Sequence, residues 1–105
     1  MATKNCKIGK NTRVAESADL YNCEIGENCK ISGFVYIEEG VIIGNNCKIR
    51  PFTFIPTGVT IEDNVFIGPS ATFINDKYPK STNPEGILKG EDDWELTKTF
   101  IKKDA

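Results

Sequence analysis

Asn75 and Asp76 set an amide beside a carboxylate, and Tyr78-Pro79 follows two residues on. An amide oxygen accepts a hydrogen bond, and a carboxylate takes a proton. The pair therefore offers an acceptor and a base side by side. It is equally an ordinary Asn-Asp turn, in which such side chains bond their own backbone. The sequence has no histidine, so the commonest general base and the commonest metal ligand are both missing. Deprotonating a hydroxyl is then hard, whereas a neutral amine is already a nucleophile and needs mainly orientation. The cysteines Cys6, Cys23, Cys29 and Cys47 contain no C-x₂-C pair, which argues against a four-thiolate zinc site.

A repeat positions these residues. Ile8-Gly9-Lys10-Asn11, Ile25-Gly26-Glu27-Asn28, Ile43-Gly44-Asn45-Asn46 and Ile61-Glu62-Asp63-Asn64 follow at steps of 17, 18 and 18 residues. Within it runs a period of six. Aliphatic or aromatic residues fall into three columns: Ile8, Ile25, Ile43, Ile61; Val14, Ile31, Ile49, Ile67; and Leu20, Ile37, Ile55, Phe73. A single five-residue step, Leu20 to Ile25, makes the one 17-residue coil. Two residues before each column member lies a small or β-branched residue, and all four cysteines occupy that slot. Positions i and i−2 share one face of a strand, so the cysteines read as small core residues. Asn11, Asn28, Gly40, Asn46, Gly58 and Asn64 recur three residues after column members. Asn and Gly tolerate positive φ at little cost, and such a residue turns a short strand through a corner.

Three strands and three corners make one triangular coil of 18 residues, and coils stacked about 4.8 Å apart pair in parallel. The expected fold is all-β, a hexapeptide-repeat parallel β-helix over residues 1–73. Residues 74–98 break the period with Pro79, Pro84, Gly86, Gly90 and Glu91-Asp92-Asp93, and read as an inserted loop. Its Tyr78 and Trp94 argue against plain disorder, and the acidic run reads most simply as solvated. Thr99-Phe100-Ile101 matches Thr53-Phe54-Ile55 in residue type, so residues 99–105 read as the start of a further coil that ends without a cap. The corner after the second column carries Ser17, Phe34, Phe52 and Ser70, and Phe34, Tyr36, Phe52 and Phe54 cluster there. Loop packing would explain them. A subunit interface explains them better, because exposed aromatic patches meet partners.

The formal net charge of −2 offers no broad basic surface for nucleic acid or an anionic membrane. No apolar run approaches the roughly 18 residues of a membrane span, and the start of the chain has no leader-like stretch. The default expectation is a cytoplasmic protein.

The Ile-Gly-x-Asn repeats, the segment Gly58-Val59-Thr60-Ile61-Glu62-Asp63-Asn64-Val65-Phe66-Ile67-Gly68-Pro69 and the following Phe73-Ile74-Asn75-Asp76-Lys77-Tyr78-Pro79 resemble the hexapeptide-repeat acyltransferases. The branch most similar N-acetylates nucleotide-linked 3-amino sugars for surface glycans. Asp92-Asp93-Trp94 and Thr99-Phe100-Ile101-Lys102-Lys103 add to the likeness, which covers nearly the whole chain. The repeats are specific for fold, and the Asn-Asp-x-Tyr-Pro segment is more discriminating for substrate. The resemblance implies a left-handed coil, against the right-handed rule for ordinary parallel crossovers. It further implies a homotrimer with sites between adjacent β-helices and acetyl-CoA as donor, without a metal. It also implies several more coils beyond this chain, which hold much of the coenzyme A.

On that reading Asn75 accepts a hydrogen bond from the acceptor amine, and Asp76 orients the amine or takes its proton. Tyr78 and Trp94 contact the sugar or nucleotide, unless they only pack the loop. Arg50 is a diphosphate contact, unless it is a solvated surface arginine. The rivals are a truncated or split chain that only oligomerises, and a sugar O-acetyltransferase whose base lies in missing coils. A γ-type carbonic anhydrase shares the fold but needs histidines. An ice-binding β-helix would show Thr ladders that Thr12, Thr53, Thr57 and Thr60 do not make.

Overall fold

The computed structural model describes residues 2–105. The six-residue period becomes a stack of very short strands: β1 (Ala2–Lys4), β2 (Lys7–Ile8), β3 (Arg13–Val14), β4 (Asp19–Tyr21), β5 (Glu24–Ile25), β6 (Lys30–Ile31), β7 (Tyr36–Ile37), β8 (Ile42–Ile43), β9 (Lys48–Ile49), β10 (Phe54–Ile55), β11 (Val59–Ile61), β12 (Phe66–Ile67) and β13 (Thr99–Ile101). The first sheet stacks β2, β5, β8, β11 and β13, the second β3, β6, β9 and β12, and the third β1, β4, β7 and β10. Pairing is parallel and in register: Ile25 lies between Ile8 and Ile43, and Ile37 between Leu20 and Ile55. The three sheets are the sides of a prism, a left-handed parallel β-helix. Among the described residues no helix is long and apolar enough to cross a membrane.

The strands are short because most corners are built on a residue of positive φ. Asn11, Asn28, Asn46 and Asn64 sit at φ 63, 58, 59 and 60°. Their amides bond along the stack, Asn11 Nδ2 donating to Asn28 Oδ1 (3.3 Å) and Asn46 Nδ2 to Asn64 Oδ1 (3.1 Å). Asn22 (φ 47°) turns the third corner of the shortened coil. The period misses it, because the lost residue moves it one place closer to its strand. The Ile-Gly pairs have a steric origin. A Cβ on Gly26 would lie 2.6 Å from the carbonyl oxygen of Gly44 and 2.3 Å from Asn45 Oδ1. Only a residue without a side chain lets those coils approach.

The columns point inward as the spacing predicts. Leu20, Ile37, Ile49 and Ile55 are fully excluded from solvent, with Cys23, Cys29, Cys47, Val35 and Val41 buried in the small slots. Each such aliphatic side chain contributes about 1.5–3 kcal/mol by burial. The end coils depart from the pattern. Cys6, Val14, Ala71 and Phe73 are only partly buried, and Ile8 is exposed, because a terminal coil has a stacked neighbour on one side only.

The placement of β13 differs from its sequence likeness. Thr99-Phe100-Ile101 does not extend the column of Phe54-Ile55; it pairs with Val59-Thr60-Ile61 in the first sheet. The reason is order along the coil. Phe73 belongs to the third column, so the next strand must enter the first. The irregular segment therefore occupies the corner between third and first sheets.

Candidate functional site

Both ends of the loop are fastened at Thr57-Gly58, on the corner between β10 and β11. The Thr57 N–H donates to Glu38 Oε1 (3.1 Å) and its hydroxyl to Glu39 O (2.7 Å), tying the corner to the coil before. The Asn75 side-chain NH₂ donates to Thr57 O (3.0 Å). Thr97 N donates to Asn75 O (2.8 Å), and Thr99 N to Gly58 O (3.0 Å). Leu96 covers Gly58 so closely that a Cβ there would meet it at 3.1 Å, and Gly58 has φ 97°. The loop is ordered within: Asn83 Oδ1 accepts from Glu85 N and Ile87 N. Asp93 Oδ2 accepts from Gly90 N (2.8 Å), closing a single 3₁₀ turn at Glu91–Asp93. The acidic run is thus partly a turn-closing device, although exposed.

Two hollows open beside this anchor. One, of about 210 Å³, is walled by Phe54, Thr72, Phe73, Ile74 and Pro79, with Asn75 and Asp76 as its polar members. The other, of about 290 Å³, lies within the loop among Asp76, Lys77, Tyr78, Lys89, Asp93, Trp94, Glu95 and Thr97. Asp76 borders both. Its Oδ1 accepts from Tyr78 N (3.2 Å), an Asp turn that leaves the second carboxylate oxygen available. Among the described residues no donor reaches Asn75 Oδ1. With its nitrogen held by Thr57, that amide is fixed beside the smaller hollow with its oxygen still able to accept.

The structure brings Asn75, Asp76, Tyr78 and Trp94 into one region. Tyr78 is exposed, with Lys77 Nζ 5.7 Å from its ring centroid, and Trp94 is half-buried. Arg50 stands apart. It is at the corner after β9, next to Pro51-Phe52, and lines neither hollow. Thr57, Lys89 and Thr97 are site members that the linear pattern does not reveal. Thr57 lies outside both inward registers, and its partners are 18 or more residues away.

The three buried cysteines offer no nucleophile. All four are free, and Cys23, Cys29 and Cys47 are buried. The Cys29 and Cys47 thiols donate to Gly44 O and Glu62 O, each at 3.1 Å. Burial, aided by the neighbouring Cys6 thiol, pushes the Cys23 thiol from 9.0 up to about 12, and burial raises Cys47 as well. Cys6 corrects the expectation of four buried thiols: it is half-exposed in the first coil.

Two aromatic clusters also mark the surface. Phe34 and Phe52 stack with centroids 5.1 Å apart and planes 5° from parallel, 61% and 60% exposed. They sit at φ 57 and 63°, a conformation that costs a side-chain-bearing residue roughly 1–2 kcal/mol. Tyr21, Tyr36 and Phe54 form a second ladder, at 5.5 and 5.8 Å, on the outer face of the third sheet.

The model of the bacterial transferase hexapeptide family, a six-repeat unit, matches residues 22–57 and 43–75. Together these matches span just over half of the chain. The chain belongs to the bacterial transferase hexapeptide family. The match ends at Asn75, so a hexapeptide transferase coil leads directly into the residues that border the smaller hollow. No curated protein matches the chain.

Proposed function

We propose that this hexapeptide transferase chain forms the acceptor side of an acetyl-CoA-dependent N-acetyltransferase, acting in the cytoplasm on a nucleotide-linked amino sugar for surface glycans. The observation that carries the reading is Asn75, which lines an apolar-walled hollow while its amide nitrogen is held by Thr57. An amine placed there donates one N–H to Asn75 Oδ1, and its lone pair is turned toward the thioester carbonyl. Holding that geometry is the main requirement for a nucleophile that needs no base to be reactive. The C–N bond forms, the C–S bond breaks and coenzyme A leaves as thiolate. The proton lost from nitrogen goes to the free oxygen of Asp76, which borders both hollows. Trp94 and Tyr78 offer faces for a sugar or base, and Lys77 and Lys89 offer cations for the diphosphate in the larger hollow. Arg50, remote within one chain, has no assigned part in this step.

The active unit on this reading is a homotrimer. The exposed aromatic stacks support it, since such surfaces are characteristic of interface cores. The test is product analysis by mass spectrometry after incubating the protein with acetyl-CoA and a panel of nucleotide-linked sugars, each as the amine and as the matching alcohol. Acetylation of an amine and not of its alcohol is expected. Acetylation of the alcohols at comparable rate, or of neither class, overturns the reading.

A further inference from the structure

Phe34 and Phe52 stand where the equivalent corners of the neighbouring coils carry Ser17 and Ser70. Their φ values match that of Ser70, at 57 and 63° against 63°, so the corner itself does not require an aromatic side chain. The two central coils thus hold bulky residues in a conformation that costs them free energy and leave them mostly exposed. Such residues point to function. The corner also divides two faces of opposite character. The second sheet stacks Arg13, Lys30 and Lys48 in register, all exposed, and Arg50 follows Ile49 on the same face. Like charges directly opposite on a ladder repel, and among the described residues no carboxylate pairs with any of the four. On the third sheet Asp19, Tyr36 and Phe54 stack in register, with Tyr21 and Glu38 beside them. The outward positions of that sheet from Asp19 to Ile74 include two acids and no base.

These two faces flank one corner. A three-fold axis run along that corner brings the second sheet of each copy beside the third sheet of the next. The two neighbours of a copy then lie on adjoining faces, not on opposite sides, so three copies close on themselves. The first sheet is left facing outward. An axis parallel to the prism also keeps the coils level. Nearest the axis, small residues then oppose larger ones: Ser32 meets Tyr36, and Gly68 meets Thr72. Arg50 meets the ring of Phe54, a cation–π contact. Farther out the faces diverge, as the flat sides of prisms meeting at their corners must, and leave a wedge. The third-sheet wall of that wedge carries the smaller hollow, with Ile74 68% exposed at its rim. The opposing wall at that level is Phe66 of the next copy, 56% exposed and one coil from Lys48.

We propose that three copies meet at the Phe34–Phe52 corner around a three-fold axis, second sheet beside third, so that Phe66 of each copy closes the acceptor hollow of the next. The phenylalanines of all three copies gather at the axis and lose the exposure that one chain cannot avoid. The unpaired cations of the second sheet face Glu38 across the wedge. The proposal rests on the homotrimer reading and adds to it which faces meet and which residue a neighbour supplies to the site.

Sedimentation velocity at micromolar concentration should find the parent trimeric. F34S/F52S, which installs the serine of the flanking coils, should be monomeric, with the dissociation constant raised at least about 100-fold and the β-type circular dichroism unchanged. I42E, which places on the outward-facing first sheet the glutamate that Glu24 supplies one coil earlier in register, should stay trimeric. A trimeric F34S/F52S, or a folded and monomeric I42E, puts the axis elsewhere and overturns the proposal while the trimer stands. A monomeric parent removes the trimer reading and the proposal together. The faces are tested by cysteine variants on a C6A background, mixed in pairs and treated with a short bismaleimide. G68C with T72C, and F66C with I74C, should each give a covalently joined pair of chains, and none of the four should do so alone. Gly68 has open space where a Cβ would stand, so the first pair keeps the test decisive should F34S/F52S misfold. No product between G68C and T72C, or self-pairing of either, overturns the assignment of faces. That product without one between F66C and I74C overturns the closing of the hollow by Phe66.

Discussion

At the residue scale, Asn75 has two jobs that the sequence does not separate. Its place beyond the inward columns suggests that the β-helix would hardly notice its loss. The structure instead makes it a tie, donating to Thr57 O and accepting from Thr97 N through its own carbonyl. Asn75→Ala is therefore expected to lower the rate of acetyl transfer roughly 10- to 100-fold and to cost about 0.5–1.5 kcal/mol in a urea melt, the usual worth of one hydrogen bond. Unchanged rate with lowered stability would reduce Asn75 to its structural job. The thiols differ for a similarly local reason. Half-exposed Cys6 should react with Ellman's reagent in the native protein, while Cys23, Cys29 and Cys47 should wait for denaturant. Cys23 also carries a pH dependence. The folded state keeps its proton up to about pH 12, whereas an ordinary thiol loses it near 9.0. Above that lower value the unfolded chain binds fewer protons, so stability should fall as pH rises through that window. A melting temperature that rises from pH 9 to 11 would contradict the shift.

At the element scale, the corners decide which parts of the fold can be read from a list of residues. A column of isoleucines at six-residue steps with small residues two places before leaves one way to bury both, so the sheets, their register and the asparagine ladder follow from local chemistry. The entry of β13 into the first sheet does not follow from its likeness to Thr53-Phe54-Ile55. It follows from counting corners, since every strand after the third column must be a first-column strand. The anchor at Thr57 is invisible for a different reason. Its hydrogen bonds join residues far apart in sequence, and no periodicity links an insertion to the corner that carries it. Tyr78 and Trp94 were legible as loop aromatics by type, and the separation of Arg50 only once the coil was wound. The repeated glycine makes a sharp prediction at this scale. Gly26→Ala would press a methyl group into the backbone of Gly44. It should destabilise by about 1–3 kcal/mol, as overpacking does, whereas Gly68→Ala, with open space around its Cβ, should change the urea midpoint little.

At the scale of the whole molecule, stacked coils and inserted loop are separable in principle, because a solenoid's stability is a sum over coils and the contacts between neighbours. Coil follows coil at six-residue steps from Ile37 to Ile43 and from Ile55 to Ile61 across the very corner that the loop occupies in the next turn. Excising residues 76–97 places Ile101 six positions after Phe73 and restores that step. Asn75 stays in the shortened corner, and Lys98 then follows it. The β-helix has no need of the removed segment: β13 keeps its pairing with β11 and its N–H bond from Thr99 to Gly58 O. What disappears is the Asp76–Tyr78 turn, Trp94 and both lysines of the larger hollow. The shortened chain should therefore keep its β-type circular dichroism. Acetyl transfer should be abolished even though Asn75 remains. An unfolded product would show that the Leu96 and Thr97 contacts at Thr57-Gly58 belong to the folding unit. Retained transfer would move the acceptor site off the loop.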